Sequence, residues 1–79
     1  MKIPRDLSGQ EPIKKLKKFG YVPTRQSGSH IRVTTTQKGE HHITIPNHDS
    51  LKLGTLSSIL TEVALHIGIT KEDLMRELF

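Results

Sequence analysis

The sequence predicts an α+β fold in which two main helices cover one face of a three-stranded antiparallel sheet. Three observations lead there. The stretch from Ser27 to Pro46 reads as two strands joined by a turn at Gln37, Lys38 and Gly39, with apolar and polar positions alternating at period two. Leu56, Ile59, Leu60, Val63, Ala64 and Ile67 recur at helical spacing and form one apolar stripe. With 79 residues and 33% apolar side chains, the chain can build only one small core, so sheet and helices must share it. A single domain over residues 1–79 follows.

In chain order, residues 1–7 read as an irregular lead-in, because Pro4 disfavours helix before it. Ser8 and Glu11 have the spacing of a capping box, and Pro12 falls in a first helical turn, where its missing N–H costs nothing. Ile13, Leu16 and Phe19 make the apolar stripe of a first helix that Gly20 ends. Tyr21 to Gln26 is a short strand, and Pro23, unable to donate to a ladder, puts it at a sheet edge. Ser27-Gly28 turns the chain into the hairpin. There Ile31 and Val33 share one face, while His30, Arg32, Thr34 and Thr36 share the other. In the third strand Ile43 and Ile45 point one way, His42 and Thr44 the other. A loop from Pro46 to Gly54 leads to the long helix, expected to begin near Thr55 and end at Gly68. Thr70 caps a short last helix, with Glu72 and Asp73 in its first turn and Leu74 and Leu78 as core contacts.

Charge is distributed unevenly. Residues 1–38 carry nine Lys and Arg against two acids, and residues 39–79 carry three against six. A basic half points to a polyanion partner, most often nucleic acid; an ordinary solvated helix face is the plainer explanation of Lys14, Lys15, Lys17 and Lys18. The absence of Cys excludes disulfides and Cys-ligated zinc. No apolar run reaches membrane-spanning length and no signal-peptide pattern opens the chain, so a soluble cytoplasmic protein with no membrane partner is expected.

A hairpin that buries its isoleucines presents His30, Arg32 and His42 together on its open face. An imidazole can take a proton from a hydroxyl or give one to a leaving oxygen near neutral pH. In RNA the 2′-hydroxyl is an internal nucleophile beside the phosphate, so cleavage needs a base, charge stabilisation and a positioned strand. Arg25 and Arg32 could supply the charge, and Lys14, Lys18, His42 and Lys52 could hold the RNA backbone. Taken alone, a strand histidine is more commonly a plain surface residue. His41 and His42 are adjacent and face opposite sides of a strand, and no HExxH spacing is present, so no metal or other cofactor is expected. His41 is expected under the helices or at the sheet rim, and His66 is read as structural. With Phe19, Tyr21 and Phe79 the only aromatics, a base-stacking sheet platform is not expected.

Gly28-Ser29-His30, then His41 to His48, then Leu51-Lys52-Leu53-Gly54-Thr55-Leu56-Ser57-Ser58-Ile59-Leu60, resemble the HicA toxins of bacterial toxin–antitoxin pairs. Lys17-Lys18-Phe19-Gly20-Tyr21 is similar to the turn that closes the first helix in that family, so the likeness spans nearly the whole chain. Glu62 to Gly68 makes a longer exit from the long helix than many members have. The resemblance implies a double-stranded-RNA-binding-domain-like fold, an mRNA-cleaving ribonuclease, His30 of the Gly28-Ser29-His30 triplet as catalytic residue, and a HicB-like antitoxin that covers the active face. A free monomer or weak oligomer is expected. A non-catalytic RNA-binding module of the same fold is the alternative, and a basic docking module for an acidic partner a third; fold alone does not choose between them.

Overall fold

A computed structural model of the chain describes residues 7–79, so the lead-in expected at residues 1–6 lies outside the described residues. The elements run α1 (Gln10–Lys15), a 3-10 segment (Leu16–Phe19), β1 (Val22–Ser27), β2 (His30–Thr35), β3 (His41–Pro46), α2 (Leu53–Ile67) and α3 (Lys71–Leu78). The sheet is antiparallel in the order β1-β2-β3. Ile31 and Val33 of β2 and Ile43 and Ile45 of β3 are buried together with Ile13 and Leu16, with Leu56, Ile59, Leu60, Val63 and Ile67 of α2, and with Leu74, Met75 and Leu78 of α3. The helices therefore lie on one face and the other is open, the double-stranded-RNA-binding-domain-like arrangement expected. No single helix among the described residues is long and apolar enough to cross a membrane.

Four local expectations need correction. The N-cap of the first helix is Gly9, not Ser8; Gly9 is itself helical in φ and ψ and no side chain caps the helix, while Ser8 contributes only its carbonyl, which accepts from the Glu11 N–H at 3.2 Å. The helix also tightens into 3-10 geometry after Lys15, so that the Tyr21 N–H closes back on the Leu16 carbonyl at 3.2 Å as the chain leaves for β1. α2 starts at Leu53, two residues earlier than expected, with Lys52 as N-cap and no side-chain cap. Strand β2 ends at Thr35, and Thr36 already belongs to the turn. Gly20, Gly68 and Thr70 terminate or start their helices as expected, and the Thr70 hydroxyl accepts from the Asp73 N–H at 3.0 Å.

At the far end of the sheet the β2–β3 turn is tied to the end of α2. Lys38 donates to the Ile67 carbonyl at 2.7 Å, placing an ammonium at a helix C-terminus, and the His66 Nε2–H is shared between the Gln37 and Gly39 carbonyls at 2.9 and 3.0 Å. His66 stacks on His41 at 4.4 Å, and the Tyr21 hydroxyl bonds His41 Nδ1 at 2.7 Å. Burial, reinforced by Glu62, pushes the Tyr21 phenol up to about 12, so it stays the donor in this bond. Burial first, and then the facing His66, lower the pKa of His41; His42 acts in the same direction and Glu62 against it. A histidine harder to protonate folded than unfolded costs stability as pH falls through its unfolded value, because only the unfolded chain takes the proton there. The unfolding midpoint is expected to be lower at pH 5 than at pH 7.5. His41→Gln should shrink that difference, as thermal melts across the range would reveal.

Candidate active site

The site grows out of the β1–β2 hairpin. Ser27 pairs with His30, so Gly28 and Ser29 alone make the loop. A two-residue loop with φ of +58° at its first position matches the backbone of a type II′ turn, which a side chain at Gly28 would strain. His30 is thus the first residue of β2 and is exposed at the end of the open face.

Arg25 reaches that face because of an irregularity in β1. Pro23 opposes Val33, yet Arg25 opposes Arg32, which leaves Thr24 as an extra, bulged residue. In an unbroken ladder Arg25 would oppose Ile31 and belong to the buried face. The bulge moves it to the side of Arg32 and His30, since directly opposed residues share a face. Both arginines then occupy positions one pleat repeat from His30, roughly 7 Å along the strand. The ion pairs among the described residues join Lys18 to Glu77, His42 to Glu40 and Arg76 to Asp73, which leaves Arg25 and Arg32 available to an outside anion. Pro23 and the bulge also blunt β1 as an edge, every residue of which is exposed.

His42 shares the open face but not the neighbourhood. It opposes Thr34, four residues along β2 from His30 and so roughly 13 Å away. Its Nε2–H donates to the Glu40 carboxylate at 2.9 Å, and its Nδ1 bonds the Thr34 hydroxyl at 2.8 Å. The Thr34 hydroxyl bonds that of Thr24 at 2.8 Å, so a polar chain runs across the far end of the sheet. Lys14 and Lys18 are not on this face. Burial of Ile13 and Leu16 turns the lysines of the first helical segment outward on the helix side, where Lys18 meets the Glu77 carboxylate at 2.6 Å.

What does gather beside His30 is the segment after β3. Pro46 is the cross-strand partner of His30, and the Asn47 N–H donates to the Ser29 carbonyl at 2.6 Å. The segment is also fastened to the start of α1: the Gly9 N–H donates to the His48 carbonyl at 2.8 Å, and Gln10 Nε2 donates to Asn47 Oδ1 at 2.9 Å. Gly9 makes this approach possible, since a Cβ there would overlap the Pro46 carbonyl oxygen and stand 2.8 Å from the Asn47 Cα. A pocket of 230 Å³ opens here, lined by Pro46, His48, Ser50, Leu51, Lys52 and Thr55. Lys52 therefore stands at the His30 end of the molecule, as the N-cap of α2. His48 carried no assigned role from the sequence. The hairpin register contained the signal, because pairing Thr35 with His41 forces Pro46 opposite His30 and leaves His48 two residues beyond.

Among the described residues no group of three or more His, Asp or Glu is arranged to hold a metal ion. The arrangement offers an accessible imidazole, two guanidiniums on the same side and an ammonium-bearing pocket next door. Such a set can hold a phosphodiester and move a proton beside it. In comparison with known proteins, residues 9–65 match the family model described as HicA toxin of bacterial toxin–antitoxin systems. No curated protein and no solved structure matches the chain significantly.

Proposed function

The chain belongs to the HicA toxin family of bacterial toxin–antitoxin systems, and from that premise we propose that it is an endoribonuclease that cleaves mRNA through His30, without a metal. The observation that carries this reading is the exposed His30 ring flanked on its own face by Arg25 and Arg32. His30 takes the proton of the 2′-hydroxyl, whose oxygen attacks the adjacent phosphorus. The guanidiniums oppose the charge that develops on the phosphoryl oxygens. Gly28 and Ser29 set the turn that presents the ring. Lys52 binds the RNA backbone at the same end. His42, tied to Glu40, meets the strand only farther along the sheet, and Lys14 and Lys18 lie outside a track across the open face.

The substrate places the protein in the cytoplasm. Its partner is a HicB-like antitoxin that inhibits by covering the His30 end of the open face and excluding RNA. The reading is tested by incubating the purified chain with an mRNA transcript in the presence of a chelator and determining the new ends. Attack by the 2′-hydroxyl leaves a 2′,3′-cyclic phosphate or its hydrolysis product on one fragment and a 5′-hydroxyl on the other. New 3′-hydroxyl ends, or cleavage that chelator abolishes, would exclude the mechanism. Binding without cleavage would favour the non-catalytic RNA-binding module.

A further inference from the structure

Cleavage by the 2′-hydroxyl requires two proton transfers, and His30 performs one. The second delivers a proton to the departing 5′-oxygen, on the opposite side of phosphorus from the attacking oxygen, so it calls for a group placed apart from the base yet within hydrogen-bond reach of the same phosphodiester. Resting on the ribonuclease reading, we infer that His48 is that general acid.

The five histidines separate by position. His41 and His66 stack on each other at the far end of the sheet, with ring nitrogens engaged by Tyr21 and by the carbonyls of the β2–β3 turn. His42 is roughly 13 Å from His30 along the strand and is held by Glu40 and Thr34. His48 alone accompanies His30. It is exposed and lines the same pocket as Pro46, the residue directly across the ladder from His30. Lys52 brings an ammonium to that pocket, a second contact for the phosphodiester on the His48 side.

His48 sits in a loop, yet the loop is anchored on both sides. Asn47 bonds the Ser29 carbonyl, and the carbonyl of His48 itself bonds Gly9. Farther on, the Leu51 N–H donates to the Leu7 carbonyl at 2.7 Å. The backbone that carries the proposed acid is thereby locked to the turn that carries the base, as a two-residue proton-transfer site demands. In the step, the O2′–P bond forms and the P–O5′ bond breaks. The 2′-hydroxyl proton passes to His30 and the His48 proton to O5′, and exchange with water then restores both rings. No electrons are transferred and no co-reactant is consumed.

The test uses the full chain, two substitutions and two substrates. His48→Asn is expected to lower the rate on ordinary RNA at least 100-fold, to leave RNA affinity and the unfolding midpoint near those of the parent, and to remove one limb of the pH–rate profile. On RNA carrying sulfur in place of the 5′-bridging oxygen, a leaving group that needs no protonation, His48→Asn should recover to within a few-fold of the parent. His30→Asn should remain inactive on both substrates. A His48→Asn rate within threefold of the parent on ordinary RNA would overturn the inference. So would a loss that the sulfur leaving group does not rescue, since that marks a structural or binding role. In both cases His30 dependence keeps the ribonuclease reading standing; a parent chain that cleaves neither substrate removes that reading, and the inference with it.

Discussion

His30→Ala is expected to abolish RNA cleavage and growth arrest while leaving the fold intact. The ring is exposed at the end of β2 and contributes nothing to the core, so its removal opens no cavity. Surface truncations of this kind change stability by less than about 0.5 kcal/mol. Loss of a positioned general base lowers a rate by about 10²–10⁴-fold. The two readouts therefore diverge: an unchanged thermal melt beside a cleavage rate reduced at least 100-fold, and normal growth when the variant is expressed without antitoxin. Full toxicity from this variant would reject His30 as the catalytic group. A variant that is both inactive and unfolded would mean that the ring stabilises the hairpin, contrary to its exposure.

The second large effect is expected far from any chemistry. Gly9→Ala places a methyl group into the Pro46 carbonyl oxygen and against the Asn47 Cα. Both are backbone atoms, so neither can rotate away, and α1 or the 46–48 segment must move. Overpacking of this sort costs about 1–3 kcal/mol, and in a domain of this size each kcal/mol lowers the melting temperature by roughly 4–8 °C. The displaced segment carries the backbone bonds that join His48 to Gly9 and Asn47 to Ser29. Cleavage should therefore fall along with stability, even at temperatures where the variant is folded. Gly54→Ala supplies the contrast. A Cβ at Gly54, inside the first turn of α2, meets nothing within 4 Å. Replacing a helical glycine with alanine stabilises by roughly 0.5–1 kcal/mol, so that variant should melt slightly higher and cleave as the parent does. Equal melting temperatures for Gly9→Ala and the parent would refute the account of the Gly9 contact.

These two positions differ in how visible they are in the chain. His30 stands out because Gly28, Ser29 and the alternation that follows are neighbours in sequence, and alternation alone assigns the ring to the face opposite Ile31 and Val33. Gly9 carries no such mark. Its requirement arises from the carbonyl of Pro46, 37 residues away, and the chain around it reads instead as the capping box of Ser8 and Glu11. Arg25 is an intermediate case. Its sign and its strand were legible, but the face it occupies depends on the Thr24 bulge, and without that extra residue it would oppose Ile31. His42 shares the open face with His30 as the alternation indicates, but a shared face says nothing about separation along it, and the two stand roughly 13 Å apart along the strand. The first-helix lysines belong to the other layer: their helix buries Ile13 and Leu16 beneath the sheet and turns them away from its open side.

What the sequence determined by itself was the order of the elements, the buried and open faces of the hairpin, the turn that presents His30, and the glycines and Thr70 that bound the helices. Each follows from residues within one turn or one pleat of each other, because backbone periodicity is a local property. Tertiary structure alone decided the bulge that brings Arg25 to the side of Arg32, the packing of the 46–48 segment against Gly9 and Ser29, and the stacking of His41 on His66. Those contacts join segments remote in the chain, and their geometry is set by how a shared core packs and by which rungs of the ladder align.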